Sequence, residues 1–256
     1  MTNGPVVVLS YAYAGADRVQ QLLAAGSPLA CTSGTGIIPQ CAAAAETWQR
    51  IEGQQGTAMS RLAAASIRGL VTAQVTAILA GSGQPRWCEM ATASPEAATT
   101  FLQVFPQASF VCVHRSCLEM VRAGAQASPW GLQGQSFMRF LMTYPGNTVA
   151  ALAAYWVTSA EQLLAFERAN PAATHRVRYE DVTTEPAQAL AAVRADLGLG
   201  RAEGDDGPLA QPEWLTEPGD GPAEPDVRVP VEMIPEALFQ RIRHVHAELG
   251  YPPPVR

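Results

Sequence analysis

The sequence predicts an α/β fold in three layers, with helices on both sides of a mostly parallel central sheet. Short apolar runs alternate with helical segments along the chain, which is the order expected of strand–helix–strand units. Several of these runs are apolar throughout, as strands buried on both faces are. The five predicted strands lie near Val6, Leu29, Trp87, Val111 and Val177. We expect the run Phe110–Val113 to lie away from the sheet edge.

The first two predicted strands are each followed by a loop of interest. Val6–Leu9 leads through Ser10–Gly15 into a helix with Asp17 near its start. Leu29–Cys31 leads into Thr32–Gly36, a segment of small hydroxyl residues and glycines that fits either an anion-binding nest or a flexible turn. The turn is favoured, because so short a motif has little specificity.

The third and fourth strands carry the candidate catalytic side chains. Helices are predicted over Pro39–Glu52 and Ala58–Ala80, followed by a strand at Pro85–Met90. Strand alternation places Trp87 and Glu89 of that strand on one face. Glu89 is the best candidate for a general base; the alternative is a structural carboxylate paired with an arginine such as Arg86 or Arg178.

Phe110–Val113 ends at His114 and Arg115, and Ser116 can cap the helix that follows. A strand that runs directly into a helix presents unpaired N–H groups, so Arg115 there makes a phosphate site or is an ordinary surface arginine. His114 is a second base candidate if the strand ends early; otherwise it packs under a helix.

The remainder of the chain continues the α/β pattern within one domain, residues 1–256. A long helix follows Asn147-Thr148 and reaches Ala169, a strand covers Thr174–Tyr179, and a helix from Pro186 closes at Gly198. Residues 200–226 are rich in glycine, proline and acids and predict an irregular loop. Residues 235–250 predict an amphipathic C-terminal helix.

Composition excludes several functions. The net charge of −6 argues against nucleic-acid binding, and all 17 basic residues are arginine. The absence of lysine excludes a Walker P-loop lysine and a Schiff-base lysine. The 5 cysteines lack CxxC spacing and predict reduced, mostly buried thiols, and no metal site is evident. No signal peptide is expected, the apolar stretches look too short for a membrane span, and a cytoplasmic protein follows.

Two stretches together resemble the bacterial type of PAPS-dependent sulfotransferases, where PAPS is 3′-phosphoadenosine 5′-phosphosulfate. In the first, a helix from Ser94-Pro95 reaches Phe101–Pro106 and is followed by the strand, Arg115 and the next helix. In the second, Tyr155-Trp156 and a long helix precede Val177–Val182, which is similar to the family's RYED segment. The resemblance implies the P-loop-like sulfotransferase fold, in which Arg115 contacts the 3′-phosphate and Tyr179 an adenine edge.

The loop expected to hold the 5′-phosphosulfate departs from the family pattern P-R/K-S-G-T-T. Ala12–Asp17 keeps only Gly15: Tyr13 replaces the cation, Ala16 replaces a hydroxyl, and Asp17 adds a negative charge. Arg18 could supply the missing charge, but a solvated arginine is the default. The family's later serine falls on Ala123, and its K-T-P becomes Met90–Thr92.

The resemblance thus implies two sets of site residues besides the candidate bases Glu89 and His114. Cofactor contacts fall on Tyr13, Ala14, Gly15, Ala16, Asp17, Arg18, Arg115, Ala123 and Tyr179. Acceptor contacts fall on Tyr11, Trp87 and Trp130, the last in a predicted lid or acceptor wall.

Two functions follow from these matches and departures. The first is sulfuryl transfer from PAPS to a hydroxyl of a small molecule, in a cytoplasmic enzyme of secondary metabolism. It needs no metal, nucleic acid or membrane, and it is compatible with a homodimer. The second is a sulfotransferase-fold protein that has lost PAPS use and acts on another substrate or only binds one.

Overall fold

Five parallel strands form the central sheet of the computed structural model, which describes residues 4–53, 59–92, 94–127, 135–200 and 229–255. The strands are β1 (Val6–Leu9), β2 (Leu29–Ser33), β3 (Arg86–Ala91), β4 (Ser109–His114) and β5 (Thr174–Arg178). Their order across the sheet is β2-β3-β1-β4-β5, so β4 lies inside the sheet. Both the parallel sheet and the interior place of Phe110–Val113 are therefore confirmed.

The strand register brings the predicted site strands side by side. β1 pairs with β3 through Val7 and Glu89, and β2 pairs with β3 through Thr32 and Glu89. All four residues of β1 are fully or almost fully buried, because β1 has a strand on each side and helices cover both faces. The carboxyl ends of the strands meet along one sheet edge, where the loops after β1 and β2 begin.

Ten α-helices lie within the described residues, in addition to a short 3₁₀ helix over Val231–Met233. They are α1 (Ala16–Ala24), α2 (Ile37–Ile51), α3 (Arg61–Ser82), α4 (Pro95–Val104), α5 (Cys117–Ala127), α6 (Gln135–Thr143), α7 (Thr148–Ala169), α8 (Tyr179–Thr184), α9 (Pro186–Leu197) and α10 (Glu236–Leu249). The predicted helix ends agree with the structure at two caps. Asn147 Oδ1 accepts a hydrogen bond from Ala150 N at the start of α7, and Gly198 is the C-cap of α9.

The two faces of β3 show how the helices divide into layers. Trp87 contacts the ring of Phe101 from α4, while its neighbour Cys88 accepts a hydrogen bond from Gln20 of α1. Consecutive strand residues point to opposite faces, so α1 and α4 lie on opposite sides of the sheet. Helices α2 and α3 pack with α4, and α9 packs with α1, which gives the predicted three layers.

The described chain divides into two compact units. The first comprises residues 1–114 and 162–201 and contains the whole sheet, and the second comprises residues 115–161 and 202–256. Within the second unit, the ring of His246 lies 5.3 Å from that of Trp156, and Arg241 pairs with Glu161. The single domain expected over residues 1–256 stays a prediction, and residues 201–226 of the expected irregular loop lie outside the described residues.

Two helices are more apolar over their length than predicted. Helices α3 and α7, of 22 residues each, have the length and composition of a membrane span, so the expectation that every apolar stretch falls short of one was wrong. Length and composition are weak evidence, since core helices share them. Helix α7 is 67% buried within the protein over its most apolar window, as a core helix is, whereas α3 is 17% buried there.

Candidate active site

Glu89 lies in the interior of the first unit at the carboxyl side of β3, and three hydrogen bonds fix its carboxylate. Thr35 donates its backbone N–H and its hydroxyl to Oε1, at 3.0 Å and 2.8 Å. The hydroxyl of Thr32 donates to Oε2. The side chain is only 2% exposed, so these bonds replace the water that a buried carboxylate loses. Oε2 accepts a single hydrogen bond and keeps a further lone pair that can accept a proton.

Trp87 and Gln20 form hydrogen bonds to Thr32 and Cys88, and so support the position of Glu89 indirectly. The indole Nε1 of Trp87 donates to the Thr32 hydroxyl at 2.7 Å, which orients that hydroxyl's own proton toward the carboxylate. Gln20 of α1 donates from Nε2 to the backbone carbonyls of Thr32 and Cys88, at 2.9 Å and 3.3 Å. Trp87 is 2% exposed and so supports the Glu89 cluster from within.

The segment Thr32–Gly36 therefore does more than turn the chain. Gly34 and Gly36 take positive φ, 66° and 73°, which lets the loop bring Thr35 back over the end of β3. The anion that this loop binds is the protein's own Glu89. The favoured interpretation as a flexible turn missed this role, and so Thr32, Thr35 and Gln20 were absent from the predicted site.

Neither arginine proposed as a structural partner binds Glu89. Arg86 donates to the backbone carbonyls of Gly4 and Leu197, at 2.7 Å and 2.6 Å. Arg178 forms a two-pronged contact with Asp181, at 2.7 Å and 2.8 Å. Arg178 thus forms its ion pair within the RYED-like segment, and the Glu89 carboxylate is held by hydroxyl and amide donors.

The loop after β1 keeps the strand–turn–helix path expected of a phosphate-binding loop. Tyr13 and Gly15 both have positive φ, 62° and 78°, and α1 begins at Ala16. Tyr11 and Ala14 are buried, Asp17 is exposed in the first turn of α1, and Arg18 is half-buried. The chain thus turns from β1 into α1 through two left-handed residues, while positions 13 and 17 carry a phenol and an acid.

Gly15 and Tyr179 lie in direct contact. A Cβ added at Gly15 would lie 2.2 Å from Cε2 and 2.3 Å from Cδ2 of Tyr179, far inside contact distance. Only glycine fits beneath this ring, and its left-handed backbone requires glycine as well. Both residues were expected at the cofactor site from the family resemblance, whereas their direct contact was not predicted.

His114, Glu167 and Arg176 form a second titratable cluster of the first unit. His114 Nε2 lies 2.7 Å from Glu167 Oε1, and Arg176 holds Glu167 Oε2 at 2.6 Å. Burial raises the pKa of Glu167, but the hydrogen bonds and charges of His114 and Arg176 outweigh it, so the pKa lies below its usual range.

The strand continues through His114, whose side chain is 0% exposed and has the ring of Tyr11 beside it at 6.1 Å between centroids. Packing under a helix, the alternative to catalysis for this residue, accounts for all of these contacts.

Three other predicted residues fall elsewhere. Arg115 and Ala123 belong to the second unit, in which the Arg115 carbonyl accepts from Trp156 Nε1 at 2.8 Å. Helix α5 begins beside Arg115, and the N–H of Cys117 donates to His246 Nε2 at 3.2 Å. One backbone N–H at the start of α5 therefore forms its hydrogen bond within the protein. Trp130 lies outside the described residues.

A cavity of about 170 Å³ lies at the opposite, amino edge of the sheet. It is lined by Pro5, Arg86 and Trp87, by Phe101 and Phe105, and by the inner face of α3. It contains none of the loops that follow β1 and β2. Among the described residues, no group of three or more His, Cys, Asp or Glu side chains could hold a metal ion.

The sequence model of the sulfotransferase family matches residues 5–203, most of the chain. The chain belongs to the sulfotransferase family. This supports sulfuryl transfer in general, and it places the Glu89 cluster and the loop after β1 in a family that commonly uses PAPS.

Solved sulfotransferases share the fold. The sulfotransferase domain from the curacin biosynthetic pathway is 16% identical, with a TM-score of 0.58 over 98% of this chain and 99% of that one. A sulfotransferase from Alicyclobacillus acidocaldarius is 10% identical, with a TM-score of 0.55 over 97% and 96%. At such identities the likeness shows the P-loop-like sulfotransferase fold. A search of curated proteins gave no match.

Proposed function

We propose that this protein transfers a sulfuryl group from PAPS to a hydroxyl of a small molecule. The observation that carries the proposal is Glu89, a buried carboxylate fixed by Thr32 and Thr35 at the carboxyl side of the sheet. In open α/β sheets, ligands bind beyond the carboxyl ends of the strands. A positioned acid at that edge, in a sulfotransferase fold, suits the proton transfer that the reaction requires.

Glu89 would act as the general base. As the acceptor oxygen attacks sulfur, a new O–S bond forms and the bond from sulfur to the bridging phosphate oxygen breaks. The acceptor's proton passes to a free lone pair of the Glu89 carboxylate. Thr32 and Thr35 hold both carboxylate oxygens, so the base keeps one orientation while the acceptor varies.

The loop after β1 offers backbone amides to the phosphosulfate of PAPS, but it lacks the Arg or Lys that the family pattern has there. Tyr13 and Gly15 give the turn its path to the start of α1, where amides favour an anion. Asp17 opposes a phosphosulfate there, so an arginine must supply the positive charge. Arg18, half-buried on the first turn of α1, is the nearest in sequence.

The remaining assignments follow the family pattern. Arg115 would contact the 3′-phosphate and Tyr179 an adenine edge, while Ala123 has no hydroxyl to add. Tyr11 and Trp130 would contact the acceptor. Because Trp87 is 2% exposed and bonded to Thr32, it supports Glu89 instead of forming an open wall. The enzyme would be cytoplasmic and would act in secondary metabolism. It would need no metal, nucleic-acid or membrane partner, and it could form a homodimer.

The alternative is a sulfotransferase-fold protein that no longer uses PAPS. Its specific support is the pair Tyr13 and Asp17, since a phenol and an exposed acid stand where the family has a cation and a hydroxyl. In that case Glu89 would be a structural anion that closes the loop after β2.

Calorimetry with 3′-phosphoadenosine 5′-phosphate tests the proposal at its first step. Saturable binding with one site per chain, followed by transfer of labelled sulfate from PAPS to a panel of phenols and alcohols, is the expected result. No binding at millimolar nucleotide would overturn PAPS use and leave the alternative. Adenosine 5′-monophosphate is the matched control, because it lacks the 3′-phosphate that Arg115 would contact.

A further inference from the structure

Two of the five cysteines face each other across neighbouring strands. Cys31 of β2 and Cys88 of β3 are register partners in the parallel sheet. Directly paired residues point to the same face, and neighbouring strands lie about 4.8 Å apart. That spacing falls within the roughly 4.4–6.8 Å between Cα atoms that a disulfide spans. Both cysteines are free thiols in the structure.

The surroundings of the two thiols differ. Cys31 is exposed, whereas Cys88 is buried and accepts a hydrogen bond to Sγ from Gln20 Nε2 at 3.7 Å. The thiol of Cys88 also donates to Cys31, and this lowers the pKa of Cys31 although burial acts in the other direction. The same contact, together with burial, raises the pKa of Cys88. The exposed thiol is therefore the nucleophile of the pair.

The other three cysteines lack these features. Cys41, Cys112 and Cys117 are all buried, and burial raises the pKa of Cys41 to about 11. Burial also raises the pKa of Cys112 and of Cys117. A reagent that needs an accessible thiolate should therefore select Cys31.

We propose that Cys31 and Cys88 form an oxidisable dithiol site, at which a hydroperoxide produces a disulfide between β2 and β3. The Cys31 thiolate attacks one peroxide oxygen: an S–O bond forms and the O–O bond breaks. The alkoxide or hydroxide takes up the proton that Cys31 released and leaves as alcohol or water. Cys88 sulfur then attacks Cys31 sulfur, so that the S–S bond forms and the S–O bond breaks. The departing hydroxide takes the Cys88 proton and leaves as water.

The disulfide would lie next to the Glu89 cluster. Thr32 and Glu89 directly follow Cys31 and Cys88, so the crosslink would tie together the two strands that position the carboxylate. The proposal itself concerns the thiols alone. Its test therefore uses no activity assay and is independent of the proposed function.

The experiment treats the folded, reduced protein with hydrogen peroxide, removes the peroxide, and alkylates under denaturing conditions. The expected alkyl adducts fall from 5 to 3, as one intramolecular disulfide removes two thiols from the total. Peptide mapping should join the Cys31 and Cys88 peptides, and dithiothreitol should restore all adducts. Cys41→Ser is the matched control, in which the loss of two adducts persists.

Cys88→Ala isolates the first step. This variant keeps the exposed Cys31 without a resolving thiol, so dimedone should trap a sulfenic acid at Cys31 and no internal disulfide should form. In the wild-type protein, retention of all 5 adducts after peroxide treatment would overturn the proposal. So would a disulfide that joins two chains, or one that pairs other cysteines. The wild-type result decides even if Cys88→Ala fails to fold.

Discussion

Thr35 gives both of its donors to one carboxylate oxygen: its backbone N–H and its hydroxyl both reach Oε1 of Glu89. This contact joins the loop after β2 to the end of β3, and it makes the position of the candidate base depend on a loop with two left-handed glycines. Catalytic and structural roles for Glu89 therefore predict different effects when the contact is changed.

Glu89→Gln separates the two roles. The amide keeps the size of the side chain and one acceptor oxygen for Thr35, so we expect a cooperatively folded protein. Loss of a general base should reduce kcat by roughly 10²–10⁴-fold. The measurements are sulfuryl-transfer kinetics and thermal unfolding of the same sample. Unchanged kcat together with a clearly lowered Tm would make Glu89 a structural residue.

Thr35→Val tests the support of Glu89. Valine keeps the backbone N–H but removes the hydroxyl, which donates to Glu89 Oε1 and accepts from Ile37 N. The protein should therefore lose about 1–3 kcal/mol of stability, the usual net value of two hydrogen bonds. Transfer activity should fall as well, since the carboxylate is less firmly held. Thr35→Ser should restore both. Thr47→Val, at an exposed threonine bonded within α2, is the matched control and should leave activity unchanged.

The Gly15–Tyr179 contact predicts that an added methyl group lowers stability more at position 15 than at position 34. Gly15→Ala and Gly34→Ala both place alanine at positive φ, 78° and 66°, which costs roughly 1–2 kcal/mol. At Gly34 nothing lies within 4 Å, whereas at Gly15 the new methyl meets the Tyr179 ring. Gly15→Ala should therefore destabilise the protein by a further 1–3 kcal/mol or so, the usual range for overpacking.

A double-mutant cycle with Tyr179→Ala measures this contact directly by urea unfolding. Removal of the ring should recover part of the Gly15→Ala loss and leave the backbone strain. Additive losses in the double variant would show that the ring does not press on position 15.

The Glu167 cluster predicts a pH dependence of stability. The folded pKa of Glu167 lies below its unfolded value, so its contribution to stability is complete above the unfolded pKa and is lost as the pH falls through the folded pKa. Glu167→Gln should cost about 3 kcal/mol at pH 7, the lower end for breaking a buried ion pair. The difference from wild type should shrink when unfolding is measured progressively below about pH 4.3.

Glu161→Gln is the control for that series. Glu161 pairs with Arg241, and both side chains are largely exposed, at 42% and 50%. An exposed pair of this kind contributes at most about 1 kcal/mol, so the control should show little change at any pH. Equal losses in the two variants would mean that burial does not strengthen the Glu167 cluster.

The sheet could be predicted from the sequence because its strands are signalled locally. Val6–Leu9 and Phe110–Val113 are apolar runs bounded by turns, and such runs place buried strands without knowledge of their partners. Helix ends with local caps, such as Asn147 and Gly198, were predicted for the same reason. The helix predicted over Ala58–Ala80 agrees with α3, Arg61–Ser82, to within three residues at each end.

The candidate site could be predicted from the sequence only where its residues belong to the same strand or helix. Strand alternation placed Trp87 and Glu89 on one face, but their partner Thr32 lies on another strand, 57 residues away from Glu89. A signal was present: polar Thr32 ends a strand that pairs with β3. The Gly15–Tyr179 contact had no local signal, because it joins the loop after β1 to the start of α8, and only the family resemblance placed both residues at one site. Long-range contacts of this kind follow from the fold, which sequence spacing does not specify.

Arg115 tests the 3′-phosphate assignment. Arg115→Ala leaves the carbonyl that accepts from Trp156 in place and removes the side chain beyond Cβ, with its guanidinium. We expect 3′-phosphoadenosine 5′-phosphate to bind about 1.5–3 kcal/mol more weakly, the range for a charge-assisted hydrogen bond, with little change in Tm. Arg122→Ala, on the helix that follows, is the control because Arg122 already pairs with Glu119. Unchanged affinity with a lowered Tm would make Arg115 structural.

The loop after β1 decides between PAPS use and its loss. Asp17 occupies the first turn of α1, where a carboxylate already satisfies the positive end of the helix dipole. A phosphosulfate arriving there would meet a like charge, and Tyr13 supplies no cation. In a PAPS enzyme, replacing Tyr13 with Arg and Asp17 with Thr should therefore tighten PAPS binding that the wild type already shows. Arg18→Ala should weaken it in the wild type if Arg18 supplies the positive charge.

The two functions predict different affinities in the same titrations. A PAPS enzyme should show saturable wild-type binding that is strengthened in the Tyr13→Arg, Asp17→Thr double variant, because a cation replaces a phenol and a repelling charge is removed. A protein that has lost PAPS use should show no wild-type binding, with binding gained only in the double variant. That second outcome would contradict the proposed sulfotransferase function, whereas tight wild-type binding would contradict the alternative.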